Sequence, residues 1–432
     1  MLATNPLPIA ETIRPTTQAE VAAVVRSSFD SSTPLYPFGG QTALDYGFTS
    51  TRSGAGLDIA GLNRVVEYTP RDMTILVEAG IRMADLASLV MAENQQLPID
   101  VPRAAEATLG GVVATNWTGP RRYGYGTIRD YVIGIHAVDG RGIAFQGGGR
   151  VVKNVAGYDF CKLLCGSLGT LAVITQVALK LKPIPETSAT LVAACPDLAT
   201  TDILLNRFVN LAAPPVAIDY LAGAGWNIPI SIRNPQSEVR TDTPHLVIRV
   251  EGSDADTNFL ADQVQYELWQ GGGMNVARLA PADAEALWLQ QIEFAGCHSV
   301  PSLSRGGLAV NTTDNSPLAI KIAVPPSAVT KIIAALYAHD PNCTVQAHAA
   351  SGILIVRFAT FKPADVTKFL VGKLRPLAIQ HGGSLIVLST SLEGFTPHII
   401  WGNRTEATVL AERVKQKFDP RNILNPDRFA YH

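Results

Sequence analysis

Glycine-bearing segments at three places are the clearest candidates for ligand binding in this sequence. The first is GGQT at 39–42, which follows the apolar run LYPF, and the others are 108–126 and 166–170. Glycines let main-chain amides approach a ligand closely, and amides in a concave turn can hold a diphosphate without a lysine. Neither a lysine nor a G-x-G-x-x-G spacing accompanies the first segment. The three segments therefore indicate either one long ligand touched at several places or ordinary turns of a β-rich domain.

The cysteines offer a second candidate chemistry, because Cys161 and Cys165 stand one helical turn apart in DFCKLLCG. Two thiols supply too few ligands for zinc or an iron–sulfur cluster, and no third ligand stands near them in the sequence. Cys195, Cys297 and Cys343 are dispersed, and an odd, scattered set argues against a disulfide framework. We therefore predict buried thiols and no metal site. An iron–sulfur centre used with this protein would belong to another chain.

Composition limits the class of protein. A chain of 432 residues with 47% hydrophobic and 17% charged residues predicts a globular protein of two or more domains. The net charge of −2, without a basic stripe or cluster, argues against nucleic-acid binding and attraction to a membrane surface. The first residues lack the pattern of a signal peptide, and no apolar run approaches the length of a membrane span. We expect a cytoplasmic protein without a direct membrane span.

The pattern of apolar and turn residues before the proline pair Pro183 and Pro185 predicts the elements that must position the glycine segments. TQAEVAAVVRSSF predicts a helix capped by Thr17, and PLYPFGG a strand that ends in the first glycine segment. GAGLDIAGLNRVVEYTPRDMTILVEAG predicts three strands, and YVIGIHAVDGRGIAFQGG a hairpin that reverses near Asp139 and Gly140. TLGGVVATNWTGPRRYGYG predicts a short helix and a long irregular loop, and loops of that length are usually functional.

The remainder of the chain predicts a different layout. SATLVAACP, VAIDYL, HLVIRVEG, LAIKIAVP, GILIVRF and SLIVLS read as strands that alternate with helical segments. This order favours an α+β domain over 186–394, built as a large antiparallel sheet covered by helices. TEATVLAERVKQKFDPRNILNPDRFA predicts an amphipathic helix followed by two proline turns, within a C-terminal segment over 395–432.

The order of several motifs resembles one family of flavoproteins. FGGQT, LVEAG, ATLGGVVATNWTGPRRYGYGTIRD and NVAGYDFCKLLCGSLGTLAVIT follow one another over 1–185, and FDPRNILNP comes near the end. Together they resemble the vanillyl-alcohol oxidase family, which has a PCMH-type FAD-binding domain. Within that family the chain is most similar to the smaller FAD-binding subunit of bacterial glycolate oxidase. The middle of the chain is similar in general layout only.

The resemblance implies a fold and a cofactor site. An FAD-binding domain over 1–185 would comprise two α+β subdomains with FAD between them, 186–394 would form an α+β substrate or cap domain, and 395–432 would return to the FAD domain. For Asn116 and Tyr125, the alternative to FAD binding is a purely structural role. The positions that correspond to FAD-binding residues of the family are Gly39, Gly40, Gln41 and Thr42 for the diphosphate; Pro102, Thr108, Gly110 and Gly111 for the ribityl and diphosphate region; Asn116, Gly119, Tyr125 and Gly126 near the flavin; and Gly166, Ser167, Gly169 and the backbone of Val173 for the adenosine half.

Two departures from the family pattern carry predictions of their own. Members that attach FAD covalently through the first loop carry a histidine beside its glycines, whereas Gln41 and Thr42 stand here. We therefore expect non-covalent FAD. Larger members that resemble D-lactate dehydrogenase carry H-x-G-D-G-N in the substrate domain. AHAASGILIVRF retains His348 and Gly352 without the Asp or Asn, so we do not expect a metal-assisted site there.

The chemistry that the resemblance implies is the oxidation of a small 2-hydroxy acid. It needs a cation for the carboxylate, a base for the hydroxyl proton, and the α-hydrogen over flavin N5. Arg249 and Arg357 are candidate cations because each interrupts an apolar strand, although an arginine on the solvent face of an antiparallel strand shows the same pattern. His348 is the candidate base, with a structural histidine as the alternative.

Three functions stay open on the sequence. The first is the FAD-binding subunit of a glycolate oxidase or dehydrogenase complex, in which hydride passes from the α-carbon to flavin N5. Its partners would be a second flavoprotein subunit and an iron–sulfur subunit, and any membrane association would come through them. The second is a self-sufficient FAD-dependent 2-hydroxy acid dehydrogenase. The third is a structural or electron-relaying flavoprotein subunit without a substrate site. A full set of FAD motifs beside weak catalytic motifs favours the first and third.

Overall fold

The helices and strands of the chain group into two compact units. The structure is a computed structural model that describes residues 7–48, 50–149, 158–211, 213–226, 228, 243–296 and 316–429. Unit 1 comprises Met1–Thr118, Gly126–Ile184 and Thr396–His432, and unit 2 comprises Gly119–Tyr125 and Pro185–Phe395. The chain therefore enters unit 2 briefly at Gly119–Tyr125 and returns, although the sequence prediction assigned this segment to the first domain.

The elements are numbered in chain order. The strands are β1 (Ile9–Ile13), β2 (Leu35–Phe38), β3 (Gly54–Asp58), β4 (Val65–Thr69), β5 (Thr74–Glu78), β6 (Gln95–Gln96), β7 (Val132–Asp139), β8 (Ala144–Gly148), β9 (Ala172–Lys180), β10 (Lys182–Pro183), β11 (Thr187–Ala194), β12 (Ala217–Ala222), β13 (His245–Gly252), β14 (Met274–Arg278), β15 (Leu318–Ala323), β16 (Thr344–His348), β17 (Ile353–Phe358) and β18 (Ser384–Thr390). The helices are α1 (Gln18–Ser31), α2 (Met83–Met91), α3 (Leu109–Thr115), α4 (Arg122–Tyr125), α5 (Ile128–Tyr131), α6 (Phe160–Leu164), α7 (Leu198–Val209), α8 (Asp254–Gln270), α9 (Pro281–Phe294), α10 (Val329–His339), α11 (Pro363–Asp365), α12 (Arg375–Gln380), α13 (Pro397–Trp401) and α14 (Glu406–Phe418), with a π-helical stretch at Val366–Leu374.

Unit 1 is built around two larger sheets that share a core, and β6 and β10 form a third, two-stranded sheet. Among its described residues, β1 and β2 lie parallel on either side of β3, while β4-β5-β9-β7-β8 form a five-stranded antiparallel sheet. One apolar cluster runs from Val21 on α1 through Leu57 on β3 to Val177 on β9. The α+β fold expected from the sequence, with two subdomains in this part of the chain, is confirmed.

Helix α1 shows how sequence sets local structure in unit 1. Thr17 Oγ1 accepts a hydrogen bond from the Glu20 amide at 3.2 Å, which satisfies one of the amides that a first helical turn leaves unpaired. Val21 and Val25 stand one turn apart and are fully buried. The helix ends before Ser32, whose left-handed conformation stops it. Both the helix and its cap are as predicted.

Unit 2 contains a single large sheet in its described part. Eight strands follow the order β14-β11-β13-β12-β16-β17-β15-β18, and each neighbouring pair is antiparallel. Helix α8 packs on β11 and β13, α7 packs on α8, and α10 packs on α7. Leu204, Leu268 and Ile333 of these helices are fully buried. The predicted antiparallel sheet covered by helices is confirmed, and β14 and β16, which the sequence pattern did not indicate, complete it.

The register of this sheet collects polar side chains on one face. Asp219 on β12 stands opposite His348 on β16, and side chains two residues apart on a strand point to the same face. The pairs that extend this face to neighbouring strands are Ala217–Arg249, Thr344–Arg357 and Ala319–Arg357. Counting along each strand from these pairs places Gln346, Arg249, Arg357 and Lys321 on the face of Asp219 and His348.

The described residues contain neither a candidate membrane span nor a candidate metal cluster. No helix in these ranges is long and apolar enough to cross a membrane, and no group of three His, Cys, Asp or Glu side chains there is placed to hold a metal ion. Cys161, Cys195 and Cys343 are buried free thiols, Cys165 is partly buried, and Cys297 lies outside the described residues. Burial raises the pKa of Cys161 to about 11, so this thiol stays protonated at neutral pH.

Alanine substitutions at Leu204 and Ile203 test the placement of α7. Leu204 is fully buried, whereas its neighbour Ile203 is 52% exposed. Leu204→Ala should lower the free energy of unfolding by about 2–5 kcal/mol, because it removes buried methyl groups and leaves a cavity. Ile203→Ala should change it by about 0.5 kcal/mol. Urea unfolding followed by circular dichroism measures both, and equal losses would contradict the buried face assigned to α7.

Candidate functional site

The first glycine segment lies directly against another part of unit 1. An added Cβ would stand 1.8 Å from Glu106 O at Gly40 and 2.2 Å from Thr108 Oγ1 at Gly39, so no larger side chain fits at either position. Gln41 follows with φ 56°, in the left-handed region. The two glycines are therefore required by a contact within the chain itself. That contact brings the predicted diphosphate loop, 39–42, against Glu106 and Thr108 of the predicted ribityl segment.

Helix α3 begins beside this contact, after the turn that contains the buried Pro102, and its two glycines differ. The Gly110 amide donates to Ala79 O at 2.7 Å, and an added Cβ would stand 2.9 Å from Ala79 Cβ, so close packing requires glycine there. Gly111 is exposed, and an added Cβ would meet only Thr108 Oγ1, at 3.4 Å. Since glycine destabilises a helix relative to alanine, the described residues give no reason for Gly111. A molecule bound against α3 would supply one.

The C-terminal end of α3 is joined to the third glycine segment. The amides of Gly166 and Leu168 donate to Val113 O at 3.0 Å and to Ala114 O at 2.8 Å. Asn116 ends the helix in the left-handed conformation, and its Cβ lies 3.4 Å from the position that a Cβ on Gly166 would take. The structure thus brings two of the three glycine segments together at one helix end.

Three polar atoms near this helix end are buried and have no hydrogen-bond partner among the described residues. They are Asn116 Oδ1, Trp117 Nε1 and Ser167 Oγ. An unpaired buried polar atom costs about 1–3 kcal/mol, and native proteins pair nearly all of them. The set comprises an acceptor, a donor and a hydroxyl that can act as either. It suits a ligand that offers both donors and acceptors.

The other predicted cofactor residues divide between the two units. Gly126 lies in unit 1 with φ 83°, and an added Cβ would stand 2.6 Å from Asp130 Oδ2, so the cap of α5 requires glycine there. Gly169 has φ 66°, and Val173 pairs with Val138 of β7. Gly119 and Tyr125 belong to unit 2, whereas the other positions of the predicted set belong to unit 1.

Tyr125 is held within unit 2 by a buried carboxylate. Its hydroxyl donates to Glu251 Oε2 at 2.8 Å, Arg249 Nε donates to Oε1 at 2.7 Å, and Arg121 Nη1 lies 3.8 Å from Oε1. The Arg249 guanidinium also lies 4.6 Å from the centre of the Trp288 ring. Arg249 is therefore not on an open solvent face, and its charge is already paired within unit 2.

His348 forms a buried pair with Asp219. His348 Nδ1 lies 3.0 Å from Asp219 Oδ1 and 3.1 Å from Oδ2, and both residues are at most 2% exposed. Gln346 Nε2 donates to Asp219 Oδ2 at 3.3 Å and to Gln291 O at 3.0 Å. Because a carboxylate only accepts, Nδ1 carries the proton of the neutral ring and Nε2 does not. Nε2 is buried and has no partner among the described residues, which is the arrangement of an oriented base.

Arg357 is also buried, at 4% exposed, so the solvent-face alternative is wrong for it as well. Its Nη2 donates to Phe294 O at 2.6 Å, and its guanidinium carbon lies 5.0 Å from the centre of the Phe294 ring. Helix α9 thus contacts the polar face of the sheet twice. Phe294 O accepts from Arg357, and Gln291 O accepts from Gln346.

Lys321 lies on the same face of the sheet. No carboxylate of the described residues lies within salt-bridge distance of its ammonium group. Burial, and after it the neighbouring Arg122 guanidinium, lowers the pKa of Lys321 to about 8. A partly buried ammonium beside a second cation favours an anionic ligand, because an added negative charge would stabilise both.

Sequence reasoning did not select Asp219 or Lys321, although the signal was present. Each interrupts an apolar strand, in VAIDYL and in LAIKIAVP, as Arg249 and Arg357 do in theirs. Trp117 was also missed, and its position beside Asn116 in ATNWTGP is the only sequence signal for it.

Comparison with known proteins identifies the class to which this arrangement belongs. Residues 9–146 match the family model described as "FAD binding domain". This part of the chain is similar to the FAD-binding domains that the model describes, and FAD is the cofactor of the chain.

Individual relatives extend the similarity over the whole chain. The chain is 24% identical over 427 residues to glycolate oxidase subunit GlcD of Bacillus subtilis (strain 168), covering 96% of this chain and 88% of the relative. It is 25% identical over 451 residues to the D-2-hydroxyglutarate dehydrogenase of Xanthomonas citri pv. viticola, covering 98% and 89%. Glycolate oxidase subunit GlcE of Escherichia coli (strain K12) is 35% identical over 168 residues, covering 39% and 47%. The resemblance to glycolate oxidase subunits is confirmed.

Solved structures support the fold. Two structures of alkyldihydroxyacetonephosphate synthase superpose with TM-scores of 0.64 and 0.67 at 17% identity. Each covers 96% of this chain, and the chain covers 76% and 75% of theirs. At this identity the likeness concerns the fold alone.

The residues of unit 1 fit FAD. The cofactor carries a diphosphate between two ring systems that display both donors and acceptors. The unpaired atoms of Asn116, Trp117 and Ser167 and the unfilled space beside Gly111 suit such a molecule. The segments that contain them need no cationic side chain for this, because main-chain amides can hold a diphosphate.

Gly111→Ala tests whether FAD packs against α3. Without cofactor, alanine should raise the stability of the protein by up to about 1 kcal/mol, since it is the better helix former and meets only Thr108 Oγ1. With cofactor, the added methyl group should raise the FAD dissociation constant about tenfold or more. Thermal unfolding and FAD titration measure the two effects. Unchanged FAD affinity would show that FAD does not occupy this space.

Proposed function

We propose that this chain is an FAD-dependent oxidoreductase that converts a 2-hydroxy acid to the 2-oxo acid, as the FAD-binding subunit of a glycolate oxidase or dehydrogenase complex. The printed names of the relatives support the reaction class, because they include glycolate oxidase subunits and a D-2-hydroxyglutarate dehydrogenase. The same names support a complex, since two of them describe subunits. A second flavoprotein subunit and an iron–sulfur subunit are the partners we propose.

The observation that carries the proposal is Lys321. An FAD-binding domain shares the chain with a buried polar sheet face that carries Lys321, whose ammonium group has no carboxylate within salt-bridge distance among the described residues. Arg249 already binds Glu251 and is the weaker candidate for holding a substrate. Lys321 therefore replaces Arg249 as our first candidate for the substrate carboxylate, with Arg357 as the second.

The reaction assigns distinct tasks to the side chains of unit 2. The substrate loses the hydroxyl proton and the hydride of its α-carbon, and its C–O bond becomes double. His348 Nε2 is the proposed acceptor of the proton, and Asp219 orients the ring and stabilises the charge it acquires. Lys321 neutralises the carboxylate and so fixes the orientation of the substrate. When bound, FAD supplies the acceptor of the hydride at N5.

We also propose which residues contact FAD, and most of them belong to unit 1. Asn116, Gly111 and Ser167 have the strongest support, because each leaves an unfilled space or an unpaired atom. Tyr125 has weaker support, since Glu251 already holds its hydroxyl. The remaining proposed contacts are Gly39, Gly40, Gln41, Thr42, Pro102, Thr108, Gly110, Gly119, Gly126, Gly166, Gly169 and the backbone of Val173.

Two other functions are carried as alternatives. A self-sufficient 2-hydroxy acid dehydrogenase is favoured by the Asp219–His348 pair, which provides an oriented base without a second chain. A structural or electron-relaying subunit is favoured by the absence of a D-G-N motif after His348. Reduction of the bound flavin by substrate separates these functions.

Release of the flavin tests the mode of attachment. Gln41 and Thr42 provide no side chain that forms a stable bond to FAD, so acid precipitation should leave all yellow colour in the supernatant. Chromatography of that supernatant should identify intact FAD. Flavin that stays with the precipitated chain after washing would refute non-covalent binding.

Anaerobic addition of glycolate or D-lactate to the purified chain tests the reaction. Bleaching of the flavin is expected, and bleaching by the chain alone would exclude the relay alternative. The pH profile tests Lys321: because only its ammonium form binds a carboxylate, KM should be flat below its pKa and rise as the pH passes about 8. In Lys321→Arg the flat region should extend beyond pH 9, since arginine keeps its charge.

A matched control is the exposed Lys331 on α10. Lys331→Met should leave KM and its pH profile unchanged, whereas Lys321→Met should raise KM at least about tenfold at neutral pH. Equal profiles for Lys321→Arg and the unmodified chain would remove Lys321 from the substrate site. Activity that needs added partner chains would argue against the self-sufficient alternative.

A further inference from the structure

Residues 415–428 of the C-terminal segment hold the third glycine segment of unit 1 through a buried ammonium group. Lys415 is 5% exposed, and its Nζ donates to Thr170 O at 2.7 Å, Leu424 O at 2.9 Å and Asp419 Oδ2 at 2.5 Å. An ammonium group has three protons, so all of its donors are used. Asp419 in turn accepts from the amides of Ile423 and Leu424, at 3.1 and 2.7 Å.

A second contact of the C-terminal segment joins the two outer glycine segments to each other. Asn425 Nδ2 donates to Leu168 O at 2.9 Å, inside 166–170. The Asn425 amide donates to Leu35 O at 2.9 Å, and the Leu35 amide donates to Ile423 O at 2.7 Å. Leu35 begins β2, which leads directly into 39–42. Residues 423–425 are therefore bound both to 166–170 and to the strand that leads into 39–42.

A third contact lies directly after the first glycine segment. Arg428 is 6% exposed, and its Nη2 donates to Ala43 O at 2.7 Å and to Leu44 O at 2.6 Å. No carboxylate of the described residues lies within salt-bridge distance of this guanidinium group. Burial lowers the pKa of Arg428 to about 10, while Asp45 opposes the shift. Arg428 remains charged at neutral pH all the same.

Buried cations that bind only backbone carbonyls or a buried carboxylate need a reason. Removing a charge from water is costly, and apolar residues of similar volume are often no less stabilising. Lys415 binds the carbonyl of Thr170, within 166–170, and Arg428 binds the carbonyls of Ala43 and Leu44, directly after 39–42. The two segments are distant in sequence. A dinucleotide that touches both segments binds tightly only if their spacing is held within fractions of an ångström.

We propose that Lys415 and Arg428 are positioning residues for FAD: they fix the spacing of 39–42 and 166–170, and cofactor affinity depends on them although neither needs to contact the cofactor. The proposal rests on the FAD contacts proposed above for these two segments. It goes beyond them, because it assigns FAD affinity to buried side chains of the C-terminal segment.

The test compares two arginines of the same segment. Arg428→Met should raise the FAD dissociation constant about tenfold or more, because both charge-assisted hydrogen bonds to the loop are lost. Arg428→Lys, which keeps the charge, should recover part of the affinity. Arg421→Met is the matched control: Arg421 is exposed, and it binds the carbonyls of Phe29 and Asp30 on α1. It should leave the dissociation constant within about twofold.

Equilibrium dialysis of the full-length chain against FAD gives the dissociation constants, and thermal unfolding without FAD gives the stability of each variant. A purely structural role would lower the unfolding temperature of Arg428→Met and leave its dissociation constant unchanged, and that result would overturn the proposal. If Arg428→Met does not fold, Asn425→Gly decides, since glycine readily adopts the φ of 39° at that position and only the bond to Leu168 is lost. It too should raise the dissociation constant, and an unchanged value would overturn the proposal.

The same measurements separate this inference from the function on which it rests. If the unmodified chain binds no FAD, the proposed function fails and takes this inference with it. If the unmodified chain binds FAD and both Arg428→Met and Asn425→Gly bind it equally well, this inference alone fails.

Discussion

The close approach of Gly40 to the Glu106 carbonyl is the contact on which the architecture of unit 1 depends. A Cβ at Gly40 would stand 1.8 Å from that oxygen, so the contact excludes every side chain. It fixes the loop after β2 against the start of α3, and the other end of α3 binds the Gly166 amide. Three distant parts of the chain are thereby held around one helix. Binding a diphosphate through amides needs such preorganisation, because amides carry no net charge to compensate for loose geometry.

Unit 2 solves a different problem, that of keeping charges inside an apolar sheet. Buried ions are tolerated when a partner of opposite charge and further hydrogen bonds satisfy them. Glu251 meets this condition through Arg249, and Asp219 accepts hydrogen bonds from His348 and Gln346. Lys321 does not meet it among the described residues, and its pKa falls accordingly. The contrast is what makes Lys321 a candidate for binding substrate, since perturbed groups without a structural partner concentrate at functional sites.

Local signals in the sequence were sufficient for most elements of both units. Thr17 before an apolar helical pattern predicted α1 and its cap, and Asp139 and Gly140 predicted the hairpin of β7 and β8. The glycine clusters indicated the segments of the proposed FAD site. They did not indicate the physical reason why each position is glycine. Gly39 and Gly40 are required by contact with the chain, whereas Gly111 has no such contact, and a sequence cannot separate the two cases. The family resemblance supplied FAD, which spacing alone left open.

What the sequence determined by itself was most of the elements, the α+β class and the likeness to flavoproteins, because caps, turns and periodicity depend on neighbours along the chain. Tertiary structure alone decided which side chains meet. Asp219 and His348 are paired by strand register, and Arg428 reaches Ala43 through the return of the C-terminal segment. Such contacts join residues that lie hundreds of positions apart in the sequence, or residues on strands whose order in the sheet cannot be read from the local sequence. The physical reason is that burial and hydrogen-bond pairing are properties of the packed chain. The charged side chains therefore acquire their partners only when the chain has folded.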